Sequence, residues 1–414
     1  MRVLRALDGR TFASLRRHRN YRLFFSGQVV SVSGTWMQNI GLAWVVIELS
    51  HSPMAVGALA FCRFVPFTVF GLVAGVVADR VDNRRLVILT QTTAMLLSGA
   101  LAGMALTGAV TLAAVYPIAV LLGVVQVFDA PGRQALTYQL VGHDELPNAI
   151  ALNSSLFNMS RVVGPALAGV VIAAAGAGIC FVVNALSFLA VLAGLLAMRT
   201  RELFPVERGD HRPTVVRGTL DGLAYVLRSR DLVLVLLIVT VMSTVGFNFN
   251  VILPLLASST LHTGPGMFGV LSACFGVGAL AGALVAATLG RASWTGLLAG
   301  LCGFSGAMLA LAPLHAVWAC AALLLVLGAS FTLLTANANA LIQLDAPGHL
   351  RGRVVGLYLF AFAGLAPVGG LVVGWLVTLG GTELAFVVAG LTGAVIAALT
   401  IAGRERTRAS LARA

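Results

Sequence analysis

Arg63 and Arg161 each stand inside a long apolar run. A guanidinium keeps its charge and presents five N–H donors in a planar fork. Placed in a bilayer it costs about 2.5–3.5 kcal/mol on insertion scales, so it must face protein or water. Two roles suit such a residue: holding an anionic or polar group of a bound molecule, or a structural contact. The structural contact would be an Arg63–Glu48 pair or hydrogen bonds to helix carbonyls. Asp129 lies near the end of another apolar run, four residues before Arg133. A partly buried carboxyl there is suited to taking up and releasing a proton. An ion pair with Arg133, or an exposed Asp129, is the alternative. Pro131-Gly132 is expected to break the helix just beyond it.

Other chemistries lack their residues. All 27 basic residues are arginine, which removes a P-loop lysine and a Schiff-base lysine from this chain. No cofactor is expected. The cysteines, Cys62, Cys180, Cys274, Cys302 and Cys320, lie in apolar runs without a CxxC pair, so neither disulfide nor metal site is implied. The histidines fall in tails and loops, against a mid-membrane histidine relay. Gly276-Val277-Gly278-Ala279-Leu280-Ala281 imitates a dinucleotide loop but sits inside a span with no strand before it, so it reads as helix packing.

The elements that position these residues are membrane spans. The chain has 414 residues, is 59% hydrophobic and 10% charged, and its mean hydropathy is +0.96. Repeated apolar runs near 20 residues describe an all-α polytopic membrane protein. Expected spans are 23–47, 54–78, 86–107, 111–130, 149–174 and 178–198, then 232–256, 266–289, 294–313, 316–341, 353–379 and 383–403. That is twelve helices in two six-helix halves, 23–198 and 232–403. They are flanked by a segment 1–22, a linker 199–231 and a tail 404–414.

Arginine placement tests this map. The N-terminal segment, every even-numbered turn, the linker and the tail carry arginine, and the odd-numbered turns carry none. Such asymmetry sets both termini and the linker on the cytoplasmic side of the plasma (inner) membrane. The +12 charge is therefore spread over short turns rather than one basic face, against nucleic acid as a partner. Residues 1–20 are basic and amphipathic and read as an interfacial helix on the bilayer, with 215–227 lying along the same surface. Tyr138-Gln139-Leu140 and Ile342-Gln343-Leu344, each followed by a helix with an inner proline, repeat at about half the chain length.

The stretch Gly71–Arg85, GLVAGVVADRVDNRR, resembles the loop between helices two and three of the major facilitator superfamily. Asp82 stands where that family usually has glycine. Ser160–Gly169, SRVVGPALAG, is similar to the Gly-Pro motif of its proton-coupled antiporters, with Ser160 and Ala168 in place of glycines. Asn20–Leu23, Gly34–Gln38, Ser52-Pro53, Asp129–Ala135 and Asn148–Asn153 resemble the branch of enterobactin-exporter-like and macrolide-efflux-like proteins.

The resemblance implies a monomeric carrier that exports small amphipathic molecules against proton entry. It assigns a gate to Gly75, Asp79, Arg80, Arg84, Arg85 and Arg133, with Asp79 locking against the start of helix eleven near Arg353. It assigns the moving interface to Gly164, Pro165 and Gly169. Spans one, four, seven and ten line the cavity in that family, which points to Gln38, Asn39, Asn248, Asn250, Asn337 and Asn339 beside Arg63 and Arg161. Those amides equally suit helix packing. A facilitator-type importer or a lipid flippase is the alternative. A membrane-embedded enzyme or sensor is remoter, since it would need clustered His, Asp, Glu or Ser within spans.

Overall fold

The computed structural model describes residues 11–205, 215–347 and 350–411, and helices carry nearly all of them. A short α1 (Ala13–Arg17) precedes α2 (Arg19–Ser50), α3 (Pro53–Arg80), α4 (Asn83–Leu106), α5 (Leu112–Ala175) and α6 (Ala177–Leu196). Then follow α7 (Val215–Arg228), α8 (Arg230–Val245), α9 (Phe249–Leu255), α10 (Pro265–Leu289), α11 (Trp294–Leu311), α12 (Val317–Asp345), α13 (Arg351–Leu359) and α14 (Ala366–Leu411). Side-chain caps start several of them: Asp82, Thr111, Ser229 and Ser293 each accept a backbone N–H in the first turn that follows.

Among the described residues, nine helices are long and apolar enough to cross a membrane. Two of these are paired rods. In α5 the direction changes at Gly142 (φ 70°), and in α14 at Gly380-Gly381, where Gly381 has φ 67°. The left-handed region is open to glycine at little cost, which lets the chain turn without a loop. Separating these rods and adding α2, whose polar residues dilute its apolar character, gives twelve rods.

Two rods differ from the expected spans. Pro131-Gly132 does not break the fourth rod, which runs on to Val141. The missing N–H of Pro131 is tolerated inside a packed bundle, and Gly132 faces Leu86 and Val87 of α4, where a Cβ would sit 3.0 Å from Leu86. The seventh rod is interrupted at Gly246–Asn248, and a π-helical turn, Leu256–Thr260, closes it. The N-terminal segment docks on the protein in its described part: Ser14 is buried and donates to Asn148 Oδ1 (2.7 Å), and Arg17 pairs with Glu145. Residues 1–10 of that segment lie outside the described residues. The helix expected over 215–227 forms as α7.

In the first half α2 packs on α5 and α6, and α4 on α5 and α6. In the second half α12 packs on α10 and α11, and α14 on α8 and α11. The halves join through α3 with α14 and through α5 with α10. Both joints are made by glycine. A Cβ on Gly57 would sit 2.6 Å from Gly370 O, and one on Gly269 would sit 2.6 Å from Pro165 O and 2.8 Å from Gly169 Cα. Without side chains between them the backbones approach closely. These contacts lie toward one face of the bundle, opposite the face that holds α1, the end of α6 and the start of α8. Near that terminal face a Cβ on Gly71 or Gly75 of α3, or on Gly352 or Gly356 of α13, would meet nothing within 4 Å.

Candidate functional site

Arg161 projects from the second rod of α5 toward the other half. Its guanidinium carbon lies 4.9 Å from the ring centre of Phe275 on α10 and 5.5 Å from that of Phe331 on α12. Trp36 on α2 stands 5.9 Å away. Three rings from three helices thus surround one charge, and desolvated cation–π contacts contribute about 2 kcal/mol or more. Among the described residues the guanidinium makes no hydrogen bond or ion pair with the protein. Phe275 and Phe331 belong to a larger aromatic wall. The Phe249 ring centre lies 4.1 Å from that of Phe275, tilted, and 5.2 Å from that of Phe331, edge-on, and Phe331 continues to Phe362 and Tyr358.

The local sequence explains why Arg161 can reach that wall. Gly164, one turn on, has no room for a side chain: its Cβ would sit 2.4 Å from Trp36 Cβ and 2.9 Å from Ser33 O. Gly276 on α10 similarly faces Arg161 O at 3.0 Å. Close approach on both sides brings α2, α5 and α10 together at this level. The neighbouring Gly278 packs its α-carbon on Leu325 O and Gly282 on Ala329 O, so this glycine run is a helix-packing surface.

Arg63 on α3 donates from Nη2 to Gln126 Oε1 at 3.1 Å, while Nη1 is buried with no protein partner. The expected alternative pair with Glu48 is not made, since Glu48 accepts from Trp44 Nε1 at 2.7 Å. Gly123 lets α5 lie against the Arg63 backbone, where a Cβ would sit 2.3 Å from Arg63 O.

Asp129 is buried in a polar knot within the first half. Arg133 Nε lies 2.6 Å from its Oδ2, while Thr90 Oγ1 (2.7 Å) and Gln91 Nε2 (2.9 Å) donate to Oδ1. Arg133 Nη1 also donates to Gln28 Oε1 of α2 at 2.9 Å. The knot therefore ties α2, α4 and α5.

The amides divide. Gln38 is buried and accepts from Asn184 of α6 at 2.9 Å. Asn248 donates to Ser243 O and Thr244 O and holds the interruption of the seventh rod. Asn337 donates to Leu333 O and accepts from Ser293 N at the start of α11. These three make contacts within their own halves. Asn39 is half-buried, Asn250 is exposed, and Asn339 accepts from Gln343 one turn on.

At the terminal face Asp79, Arg80 and Arg85 are exposed, Arg84 Nε donates to Leu195 O at 2.9 Å, and Asp82 caps α4. The backbone of α7 passes beside α13, where a Cβ on Gly222 would sit 3.0 Å from Arg353 Cβ.

The chain matches known proteins along most of its length. A family model described as transmembrane secretion effector matches residues 10–412. The chain belongs to this family of major facilitator transporters.

Among its relatives, the staphyloferrin A transporter of Staphylococcus aureus (strain NCTC 8325 / PS 47) is 27% identical over 266 residues, 64% of this chain and 66% of that protein, just under two thirds of its length. The multidrug efflux pump Tap of Mycolicibacterium fortuitum is 25% identical, covering 86% of this chain and 88% of its own. Macrolide efflux protein A of Streptococcus pyogenes is 24% identical over 67% and 69%. Solved structures agree on the fold. A POT family transporter in complex with 5-aminolevulinic acid superposes with a TM-score of 0.74 at 11% identity over 93% and 96% of the two chains. The nucleoside transporter NupG gives 0.68 at 14% over 92% and 98%. The transmembrane secretion effector family and these relatives are transporters, not enzymes.

Sequence reasoning singled out both arginines but not Phe249, Phe275, Phe331, Phe362 or the role of Trp36. The rings come from separate helices at ordinary apolar spacing. The nearest signal was the pair Gly164 and Gly169, which allow a neighbouring helix to approach closely.

Proposed function

We propose that this protein exports small amphipathic molecules across the plasma membrane by proton antiport, alternating access between two rocking halves. Glycine-thin joints between the halves, at Gly57–Gly370 and Gly169–Gly269, carry this reading. At these two points no side chain stands between α3 and α14 or between α5 and α10, so the backbones touch and one half can roll on the other. The efflux of multiple drugs by Tap and of macrolides by macrolide efflux protein A supports the outward direction.

In this reading both termini and the linker are cytoplasmic, and all twelve rods cross the bilayer, six in 23–198 and six in 232–403. The carrier works as a monomer. Arg63 and Arg161 hold the substrate, and Asn39, Asn250 and Asn339 are available to it. Asp129 exchanges the proton, with Arg133 as the partner released when it is protonated. Asp79 and its arginines, with Arg353, close the cytoplasmic side.

The test is efflux of a panel holding a siderophore, a macrolide and a fluorescent dye from cells lacking their own pumps, with and without a protonophore. Protonophore-sensitive loss of at least one compound supports the reading. Export that persists without a gradient removes the antiport step, and uptake in place of export reverses the direction.

A further inference from the structure

We infer that the Arg161 site selects organic anions with a flat aromatic body and rejects lipophilic cations of the same shape. The inference deepens the transporter reading and rests on it for the substrate to matter.

Three observations converge. First, the Arg161 guanidinium contacts the protein through ring faces: Trp36, Phe275 and Phe331 lie 4.9 to 5.9 Å from its central carbon. Ring faces satisfy a cation's charge in part but accept few directed hydrogen bonds. The planar N–H edge makes no hydrogen bond or ion pair with the protein among the described residues. That fork matches the oxygen pair of a carboxylate or sulfonate, and it can also donate to a single phenolate oxygen.

Second, the phenylalanine rings beside this guanidinium are nearly buried, 3 to 8% exposed, so a planar ligand would seat where their edges meet Arg161. Phe275, Phe331 and Phe249 form a continuous wall with centre-to-centre distances of 4.1, 5.2 and 5.8 Å. An aromatic ligand seated on it would stack or meet ring edges while its anionic group meets Arg161.

Third, among the described residues no acid pairs with this charge. The carboxylate buried within the bundle, Asp129, is engaged by Arg133, Thr90 and Gln91. The second interior guanidinium, Arg63, has a buried Nη1 without a protein partner. A lipophilic cation at the aromatic wall would meet the Arg161 guanidinium with no carboxylate beside it among the described residues, and like charges in a low-dielectric space repel strongly.

Arg161 and Trp36 belong to one half, and Phe275 and Phe331 to the other. A ligand that holds Arg161 and lies on the phenylalanine wall therefore bridges the two halves.

The test uses a pair of dyes with the same planar xanthene frame and opposite charge, fluorescein and rhodamine 6G. Equilibrium binding to the purified full-length protein in detergent, by fluorescence polarisation, needs neither a gradient nor a transport direction. Failure of the exporter reading therefore leaves this result standing on its own. Fluorescein is expected to bind at least tenfold more tightly than rhodamine 6G. Arg161→Gln should weaken fluorescein at least tenfold, and Arg161→Lys should recover part of that loss while leaving rhodamine binding weak. Phe331→Leu, which keeps the charge and thins the wall, should weaken fluorescein several-fold. A melting curve and size-exclusion profile matching the parent qualify each variant. If Arg161→Gln does not pass, the parent's own dye preference and Phe331→Leu decide. Equal or tighter binding of rhodamine 6G, absence of fluorescein binding, or an unchanged affinity in Arg161→Gln overturns the proposal.

Discussion

Arg133 Nε lies 2.6 Å from Asp129 Oδ2, one helical turn apart on the same rod, and the carboxylate is almost wholly buried. Removing one partner of such a pair strands the other. Arg133→Ala is therefore expected to cost about 3–5 kcal/mol, seen as a lower melting temperature. Asp129→Asn keeps an acceptor for Thr90 and Gln91 but cannot exchange a proton. It should lower protonophore-sensitive efflux at least tenfold while substrate binding in detergent is retained. Efflux at the parent's rate in Asp129→Asn would move proton exchange elsewhere.

Gly269 and Gly71 offer a matched contrast. A Cβ at Gly269 would intrude on Pro165 O and Gly169 Cα, whereas at Gly71 it would meet nothing. Gly269→Val should destabilise by about 1–3 kcal/mol through overpacking and suppress transport. Gly71→Ala should leave the melting temperature within a degree or two of the parent. Equal effects of the two would show that the α5–α10 joint is not a tight seam.

Asp82 accepts from Arg85 N at 3.0 Å and starts α4. Asp82→Ala removes that cap and should cost about 1 kcal/mol, while Asp82→Asn or Asp82→Ser should restore most of it. Thermal melts of the three variants check the ranking.

Ser14 is buried and fixes α1 to Asn148 and to the Glu145 carbonyl. Ser14→Leu cannot make these bonds and should release the segment, exposing Arg16, Arg17 and Arg19 to trypsin. Cleavage should quicken several-fold in inside-out vesicles and stay absent in sealed right-side-out ones. Cleavage in the latter would place the N-terminus on the other side.

The bundle was legible in sequence because burial in lipid forces long apolar runs and the arginine turns mark one face. Interior charges were legible for the same reason: Arg63 and Arg161 interrupt runs that otherwise hold none. Which face of a helix meets which partner was not. Gln38, Asn248 and Asn337 look alike as amides in spans, yet each makes contacts within its own half. Pro131-Gly132 carried a breaker signal that the packed bundle overrode, while Gly142 broke the helix without a proline beside it. The aromatic wall was hidden because Phe249, Phe275, Phe331 and Phe362 share a neighbourhood only after four chain segments have packed.

Arg161 rides on one half and, among the described residues, makes no ion pair with a carboxylate. A full elementary charge crossing a potential of 100 mV exchanges about 2.3 kcal/mol, and a guanidinium displaced through part of that field exchanges a proportionate share. In the proposed rocking cycle the unladen carrier would move this charge bare, whereas one holding a monoanion at this site would be close to neutral there. Membrane voltage would act on the return stroke and hardly on the loaded stroke, so cells with a collapsed potential would alter the resetting of the carrier more than its delivery.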